Sequence, residues 1–404
     1  MKVHKGFKFR LYPTQEQESM LFQQAGNTRF LWNKLLESNI KTYKDTQKFQ
    51  FSYEMITSLP KLKDEFEFLK LSFSQSLQQV GRQLDKALKD SFKHLRGFPK
   101  FKKRGNKDSF TVPQKFCCNK TSVKLPKIGK VKWIKHRNWE GNPKFLTVSR
   151  DGKQWYCSIT CEVNLSDKQL PTNTENIVGI DVGLKKFATL SDNTSISNPR
   201  HLNKKLDKLK REQRWLSRKI KGSNNRKKQI EKVQIVHRKI RNTRKDFLHK
   251  TSSDMIAKYS GVVLEDLNVK GMMKNSKLAR SISDVGWYEF NRMLEYKSLW
   301  NAKYFIKIDR WFASSKICNE CGSKKVDLKL SDRIYVCKNC GNIVDRDFNA
   351  SKNILAEGLN VLAKQTTQGH WGSNACGDGK VHFSSVKKKK VAVCKAGKRI
   401  TSLV

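Results

Sequence analysis

Acidic residues are scarce in this sequence. The 404 residues include 36 Asp and Glu against 83 Lys and Arg, which gives a formal net charge of +47. An excess of this size repels itself in a neutral surrounding and is relieved by a long polyanion. Basic residues run through almost every segment, whereas a small phosphorylated substrate would need only one clamp of Lys and Arg. The predicted partner is therefore nucleic acid, as an extended strand or duplex.

Long apolar runs are lacking as well. No stretch approaches the roughly 18 residues of a membrane span, and the opening MKVHKGFKFR has no signal-peptide core. We therefore expect a cytoplasmic protein without a membrane partner. In that compartment thiols stay reduced, so paired Cys-x-x-Cys spacing indicates metal binding and not a disulfide framework.

Four of the ten cysteines have that paired spacing. Cys318-x2-Cys321 and Cys337-x2-Cys340 are separated by fifteen residues, as in a zinc ribbon, where two knuckles supply four thiolates. A four-sulfur site leaves no position for water, so the predicted Zn²⁺ is structural; reduced thiols without metal are the alternative. The other six cysteines are expected to be packing or surface residues: Cys117, Cys118, Cys157, Cys161, Cys376 and Cys394.

The first part of the chain reads as one strand, then helices, then strands. KGFKFRLYP alternates apolar and basic residues, Thr14 is a candidate N-cap, and apolar residues recur at helical spacing to about Leu95. Period-two stretches joined by a turn at Asp151-Gly152 then predict a β-rich module.

A polar linker at Pro171–Asn176 opens a new domain. The Lys- and Arg-rich residues 200–250 predict a helical pair that either lies along a nucleic-acid backbone or is merely solvated.

Three carboxylates stand at the ends of predicted elements. Asp181 ends the apolar run NIVGID, Glu265 ends GVVLE, and Asp347 precedes the helical stripe of DRDFNASKNIL. Taken singly, Asp181 could cap a turn, Glu265 could pair with a lysine, and Asp347 could be a helix N-cap. Together they can share one pocket only if cations neutralise their repulsion. Two Mg²⁺ ions about 3.5 to 4 Å apart would do so, which predicts phosphodiester hydrolysis.

Four ordered motifs carry a family resemblance: GIDVGLKKFATLSD, VVLEDLNVKGM, SISDVGWYEFNRMLEYKSLW and CNECG…YVCKNCGNIVDRDFNASKNIL. They resemble the RuvC-type nuclease domain of the transposon-encoded TnpB (OrfB) family, the relatives of the type V CRISPR effectors. FRLYPTQEQ, GNTRFLWN and GFPKFKKR also resemble that family, so the likeness spans about residues 5 to 360.

The resemblance assigns catalytic roles by position. Asp181, Glu265 and Asp347 match the family's catalytic, metal-binding carboxylates, with Asp266 and Asp345 as adjacent alternatives. Glu265 is preferred because it directly follows the apolar run. Asp347 is preferred because the family pattern places its ligand two residues before an Asn, which is Asn349 here.

The fold implied by the resemblance is a multidomain α+β architecture. It comprises an RNase H-like (RuvC) α/β nuclease domain with an inserted zinc ribbon, and an N-terminal β-barrel-like wedge module with an inserted helical bundle. The implied boundaries are residues 1–13 and 96–172 for the wedge, 14–95 for the helical recognition domain, 173–312 and 341–366 for the nuclease, 313–340 for the ribbon, and 367–404 for a disordered tail.

The function implied is RNA-guided cleavage of double-stranded DNA beside a short target-adjacent motif, with one protein per guide RNA. A guide-directed repressor descended from such nucleases would lack at least one carboxylate, and all three are present. A guide-independent nuclease would purify without RNA. A single-strand transposase is disfavoured because the eight histidines include no His-x-His pair.

Overall fold

The computed structural model describes residues 2–105, 108–165, 170–171, 174–329 and 331–367. The chain forms two compact units, Met1–Asp167 with Lys205–Arg241, and Lys168–Lys204 with Asn242–Val404. The predicted disordered tail beyond Thr367, with Cys376 and Cys394, lies outside the described residues, as does part of the predicted linker. None of the described helices has the length and apolar character needed to cross a membrane.

The first unit contains a seven-stranded antiparallel sheet. Its strands are β1 (Lys2–Tyr12), β2 (Ser109–Val112), β3 (Cys117–Cys118), β4 (Ser122–Leu125), β5 (Gly129–Ile134), β6 (Asn142–Asp151) and β7 (Gln154–Asn164), in the order β2-β6-β7-β1-β5-β4-β3. The predicted turn is confirmed, because β6 ends at Asp151, which pairs with Gln154, and Gly152 has a φ of +61°. Cys157 and Cys161 lie buried on one face of β7, as predicted.

Helices follow β1, as the sequence predicts. They are α1 (Gln15–Thr46), α2 (Ser52–Thr57), α3 (Leu59–Glu65) and α4 (Ser74–Phe92). Thr14 caps α1 in a reciprocal arrangement: its Oγ1 accepts from the Gln17 backbone N–H at 3.3 Å, and Gln17 Oε1 accepts from the Thr14 N–H at 3.1 Å. The apolar face of α4 buries Leu77, Leu84 and Leu88 completely.

The basic segment forms the predicted helical pair, α5 (Leu206–Ser217) and α6 (Asn224–Lys258). Gly222 between them has a φ of +88°, a conformation that favours glycine. Gln229 of α6 donates to the Glu212 carboxylate of α5 at 2.8 Å, and both side chains are buried. Residues of α6 beyond Arg241 belong to the second unit.

The second unit is built on a mixed sheet of β8 (Ile177–Val182), β9 (Lys186–Leu190), β10 (Ser195–Ser197), β11 (Gly261–Glu265) and β12 (Tyr304–Ile308). The order is β10-β9-β8-β11-β12, with antiparallel pairing through β8 and parallel pairing from β8 to β12. Its other elements are α7 (Val269–Met272), α8 (Ala279–Val285), α9 (Trp287–Trp300), a hairpin of β13 (Ile334–Val336) and β14 (Ile343–Asp345), and α10 (Arg346–Thr367).

Helix α10 lies directly on the sheet because two glycines leave room for it. A Cβ on Gly179 of β8 would come within 2.2 Å of the Ser351 carbonyl oxygen and 2.7 Å of the Leu355 nitrogen. A Cβ on Gly358 of α10 would come within 2.3 Å of the Val263 side chain in β11. Distances this short exclude any side chain at either position, so both glycines are required by the packing.

Candidate active site

Two of the predicted site residues lie side by side on parallel strands. Asp181 follows Ile180 in β8, Glu265 follows Leu264 in β11, and Ile180 pairs with Leu264. The carboxyl ends of parallel strands meet at the same edge of a sheet, where open α/β folds place their ligands. The register therefore brings both carboxylates to one edge, and both side chains are half-buried there.

The third predicted residue, Asp347, lies in the first turn of α10. It is not the N-cap, so that alternative is wrong. Asp345 has this role, because its Oδ1 accepts from the backbone N–H groups of Asp347 at 2.9 Å and Phe348 at 3.1 Å. The Asp347 side chain is half-buried.

The two neighbouring alternatives are engaged elsewhere. Asp266 accepts a hydrogen bond from Arg310, and Asp345 accepts from Lys186 Nζ at 3.4 Å besides capping α10. Within the part of the chain that the structure describes, neither Asp181 nor Asp347 has a hydrogen bond or ion pair through its carboxylate. A half-buried carboxylate without such partners is costly unless a cation meets it.

The charges at this edge raise the pKa values of two carboxyls. Burial raises the pKa of Asp181 well above its usual value, the negative charges of Glu265 and Asp347 raise it further, and Arg346 opposes the shift. Burial also raises the pKa of Glu265, while a hydrogen bond from the Ser314 hydroxyl lowers it. Glu265 and Asp347 are therefore both electrostatic neighbours of Asp181. Oxygen donors of this kind fit a hard divalent cation such as Mg²⁺.

The four paired cysteines also come together. One sulfur from each of Cys318, Cys321, Cys337 and Cys340 lies within 4.8 Å of the others. Among the described residues, no other set of three or more His, Cys, Asp or Glu side chains brings its ligand atoms together this closely. The carboxylate oxygens of Asp181, Glu265 and Asp347 are more widely spaced than the four sulfurs. Four thiolates at this separation are compatible with a tetrahedral zinc site.

The two cysteine knuckles have the same backbone design. Gly322 N–H donates to Cys318 O at 2.9 Å, and Gly341 N–H donates to Cys337 O at 3.1 Å. Both glycines have a φ near +70°, at +73° and +72°. The shared Cys-x-x-Cys-Gly pattern therefore folds into the same turn twice, with Gly supplying the left-handed conformation.

One thiol of the cluster is held in the form that metals bind. A hydrogen bond between its sulfur and Ser323 Oγ at 3.3 Å, and then one donated by the Asn339 side chain, lower the pKa of Cys321 to about 5. Donors that favour the thiolate favour metal ligation, because the ligand must be deprotonated.

The sequence analysis missed two asparagines that join the cysteine module to α10. Asn349 Oδ1 accepts from the Asn319 N–H at 3.0 Å, and its Nδ2 donates to Ile317 O at 2.7 Å. Asn353, one turn later, donates to Ile317 O at 2.6 Å and to Ser314 O at 2.8 Å. Both are buried. Two asparagines at i, i+4 spacing on an otherwise apolar helix face are the sequence signal that could have indicated this junction, because buried amides need hydrogen-bond partners.

Ser314 links this junction to the carboxylates. Its carbonyl is held by Asn353, and its hydroxyl donates to Glu265 Oε1. The segment leading into the cysteine module therefore touches both the helix that carries Asp347 and the strand that carries Glu265.

Comparison with solved structures defines the class of fold. A cryo-EM structure of a Cas12f1–sgRNA–target DNA complex matches with a TM-score of 0.55 at 14% identity, covering 88% of this chain and 99% of that chain. The protein thus has the multidomain mixed α/β fold of a Cas12 effector.

Comparison with sequences defines the family. A probable-transposase model of the OrfB type matches residues 158–276, a Cas12f1-like TNB domain matches 287–354, and a helix-turn-helix domain matches 1–48, where the structure has β1 and α1. Proteins of Streptomyces pristinaespiralis and Escherichia coli K12 are 36% and 37% identical, over 94% and 90% of this chain and 92% and 94% of their own. Both are named "Putative RNA-guided DNA endonuclease", the second with the suffix InsQ. This chain belongs to the OrfB (TnpB) family.

We expect Asp181→Asn to raise the melting temperature of the metal-free protein. A carboxyl whose pKa is raised by folding costs stability at every pH where the unfolded chain is ionised; the cost is absent below the unfolded pKa of about 3.9, grows between that value and the folded pKa, and is constant above it. Calorimetry at pH 7 with chelator should show a gain of about 2–4 °C for each kcal/mol of relieved repulsion. The gain should shrink at acidic pH.

The exposed Asp254→Asn is the matched control and should give no gain. A lower melting temperature for Asp181→Asn than for the unchanged protein, in chelator, would contradict the electrostatic description of this edge.

We expect Asn353→Ala to destabilise the second unit. It removes the donor to Ser314 O, and a buried group left without a partner costs about 1–3 kcal/mol, whereas Ile317 O keeps its hydrogen bond from Asn349. Urea unfolding measures the change. Asn360→Ala, at an exposed position of the same helix, should stay within about 0.5 kcal/mol of the unchanged protein. Equal effects of the two substitutions would show that the junction does not stabilise the unit.

Proposed function

We propose that this protein is an RNA-guided DNA endonuclease that uses Asp181, Glu265 and Asp347 as its catalytic carboxylates. The observation that carries the proposal is that Glu265, beside it on the sheet, and Asp347, on α10, both act electrostatically on Asp181, although the three are far apart in sequence. The names of the two long relatives agree with it.

The nuclease domain proposed is RNase H-like, of the RuvC type. The strand order β10-β9-β8-β11-β12, with a change from antiparallel to parallel pairing at β8, supports this assignment. So does the insertion of the cysteine module between β12 and α10. The first unit, with its antiparallel sheet and helices α1–α4, would supply the wedge module and the helical recognition domain, which would read the target-adjacent motif.

The carboxylates would hold two Mg²⁺ ions. When bound, these ions would activate the attacking water and stabilise the leaving oxygen of the phosphodiester. Asp181 is central, because it interacts with both other carboxylates. Ser314 would orient Glu265 by donating to one of its oxygens, and Asp345 would fix the first turn of α10 so that Asp347 faces the site.

Guide RNA and double-stranded DNA are the proposed partners, with one protein per guide. The charge of +47 supports this, since both nucleic acids supply phosphates to neutralise it. A repressor derived from the same fold would have no need of three intact carboxylates, and a guide-independent nuclease would carry no RNA.

The cysteine module is proposed to bind one structural Zn²⁺ through Cys318, Cys321, Cys337 and Cys340. Its convergent sulfurs and paired knuckles support zinc, and four sulfur ligands would fill the tetrahedron and leave no open position for a catalytic water.

We expect Asp181→Ala, Glu265→Gln and Asp347→Asn to leave target binding intact and to lower Mg²⁺-dependent cleavage by a factor on the order of 10³ or more. The protein is purified with its RNA, the RNA is sequenced, and a matching DNA duplex is offered as substrate. Asp266→Asn is the control, because Asn can still accept from Arg310. Cutting by Asp181→Ala at the unchanged rate, or equal losses in Glu265→Gln and Asp266→Asn, would overturn the assignment.

We expect one zinc per chain by elemental analysis, and its loss in Cys318→Ser and Cys337→Ser. Since a structural zinc site contributes on the order of 10 kcal/mol of local folding, the module should become a protease-sensitive segment in these variants. Cys117→Ser, at an exposed cysteine outside the module, should keep its zinc. Full zinc content in Cys318→Ser would refute the ligand set.

A further inference from the structure

We propose that a cationic cleft in the second unit holds the phosphodiester backbone of the DNA strand that approaches the carboxylates. The cationic cleft is defined by Lys185, Arg200, Arg280 and Arg333, none of which the sequence analysis singled out. This inference rests on the proposed nuclease function and adds to it the place where substrate phosphates bind.

The cleft consists of two adjoining hollows of about 500 and 760 Å³. They share four lining residues, which makes them one continuous space: Lys185, Asn198, Arg200 and Asn203. The walls come from the β8–β9 turn, the segment after β10, α8 and the cysteine module. Such a space accommodates several phosphates of an extended strand and not just one ion.

The cations of the cleft have no anionic partners of their own. Among the described residues, none forms an ion pair or a hydrogen bond with the charged groups of Lys185, Arg200, Arg280 or Arg333. Asp284 is the acidic residue that lines the cleft. Its carboxylate pairs with Arg244 at 3.7 Å and accepts a hydrogen bond from the Leu202 N–H at 2.9 Å. The space therefore attracts anions, and the planar Arg groups match the paired oxygens of a phosphodiester.

The backbone around Arg200 is held in a specific conformation. Arg200 has a φ of +46°, which is strained for a residue with a side chain. Asn198 supports it, since Asn198 Oδ1 accepts from the Arg200 N–H at 3.1 Å while Nδ2 donates to Leu184 O at 2.8 Å. Strained positions persist where the surroundings fix them, and they concentrate at functional sites.

Short connections link the cationic cleft to the elements that carry the carboxylates. Leu184 and Lys185 follow Asp181 by three and four residues, and Lys186, which lines the larger hollow, pairs with Asp345 at 3.4 Å. Asp345 in turn caps the helix that carries Asp347. A strand bound in the cleft would therefore run toward the carboxylates, which is required of the DNA to be cut and not of a guide RNA.

Lysine footprinting tests this proposal locally. The full-length protein with its co-purified RNA is treated with an acetylating reagent in buffer without Mg²⁺ and without chelator, which leaves the proposed zinc in place, with and without single-stranded oligothymidylate, and each lysine is quantified by mass spectrometry. We expect DNA to lower the acetylation of Lys185 and Lys204 by about fivefold or more, as phosphate contacts would, and to leave the exposed Lys274 unchanged.

Charge reversal supplies the second arm. The double variant Arg280→Glu with Arg333→Glu should abolish the protection of Lys185 by DNA. It should also reduce the slope of log K for DNA binding against log salt concentration by about 1 for each phosphate that the variant no longer neutralises. Lys274→Glu with Lys277→Glu makes the same change of charge outside the cleft and should retain the protection.

Three outcomes would overturn the inference. The first is no protection of Lys185 by DNA, and the second is an equal loss of protection in both double variants. The third is a Lys185 that is already unreactive in the RNA-bound protein before DNA is added, which would assign the cleft to the guide RNA. The footprint without Mg²⁺ does not depend on cutting. Protection without any cleavage in Mg²⁺ would overturn only the proposed function, and cleavage without protection would overturn only the cleft.

Discussion

The packing of α10 against β8 is the contact on which the candidate site depends. Gly179 has no side chain, so the helix backbone at Ser351 and Leu355 reaches the strand directly, and Gly358 allows the same approach to β11. A helix held this close has little freedom to slide, because every shift meets backbone atoms. Its first turn is thereby fixed near the end of β8, where Asp181 stands. One steric constraint therefore brings together charges that repel each other.

The same helix organises the cysteine module. Asn349 and Asn353 project from α10 to the segment before and within the first knuckle, so the face that packs on the sheet is continued by polar contacts to the module. Ser314 then connects that segment to Glu265. The segment that enters the module is thus tied by hydrogen bonds both to the strand end that carries Glu265 and to the helix that carries Asp347. Buried amides are suited to this role, since an unpaired partner is costly.

Much of this arrangement could be predicted from local patterns. The capped start of α1, the turn at Gly152, the helical pair after residue 205 and the cysteine spacing are encoded within a few neighbouring residues, and the structure confirms them. The catalytic assignment itself stays a prediction, although Asp345 and Asp266 are now accounted for by other contacts. What could not be predicted depends on residues that are distant in sequence. No local rule shows that Asn353 meets Ser314, that Lys205–Arg241 groups with the first unit, or that Arg280 and Arg333 face one cleft.

The protein is strongly basic, but its candidate site is acidic. The pKa values of the site carboxylates depend on which charges lie close enough to act on them. Interactions between exposed charges are largely screened beyond the Debye length of about 8 Å at physiological ionic strength, so most of the surplus of +47 does not reach Asp181. Its immediate surroundings decide instead: burial raises the pKa of Asp181 most, and the charges of Glu265 and Asp347 raise it further against the opposing effect of Arg346. A phosphate moving toward the site meets a different balance: it is attracted by each basic side chain within that distance along its path and repelled by the carboxylates at close range. Unpaired cations beside the site, such as those of the cationic cleft, resolve this conflict, because they hold the phosphates at the border between the two fields.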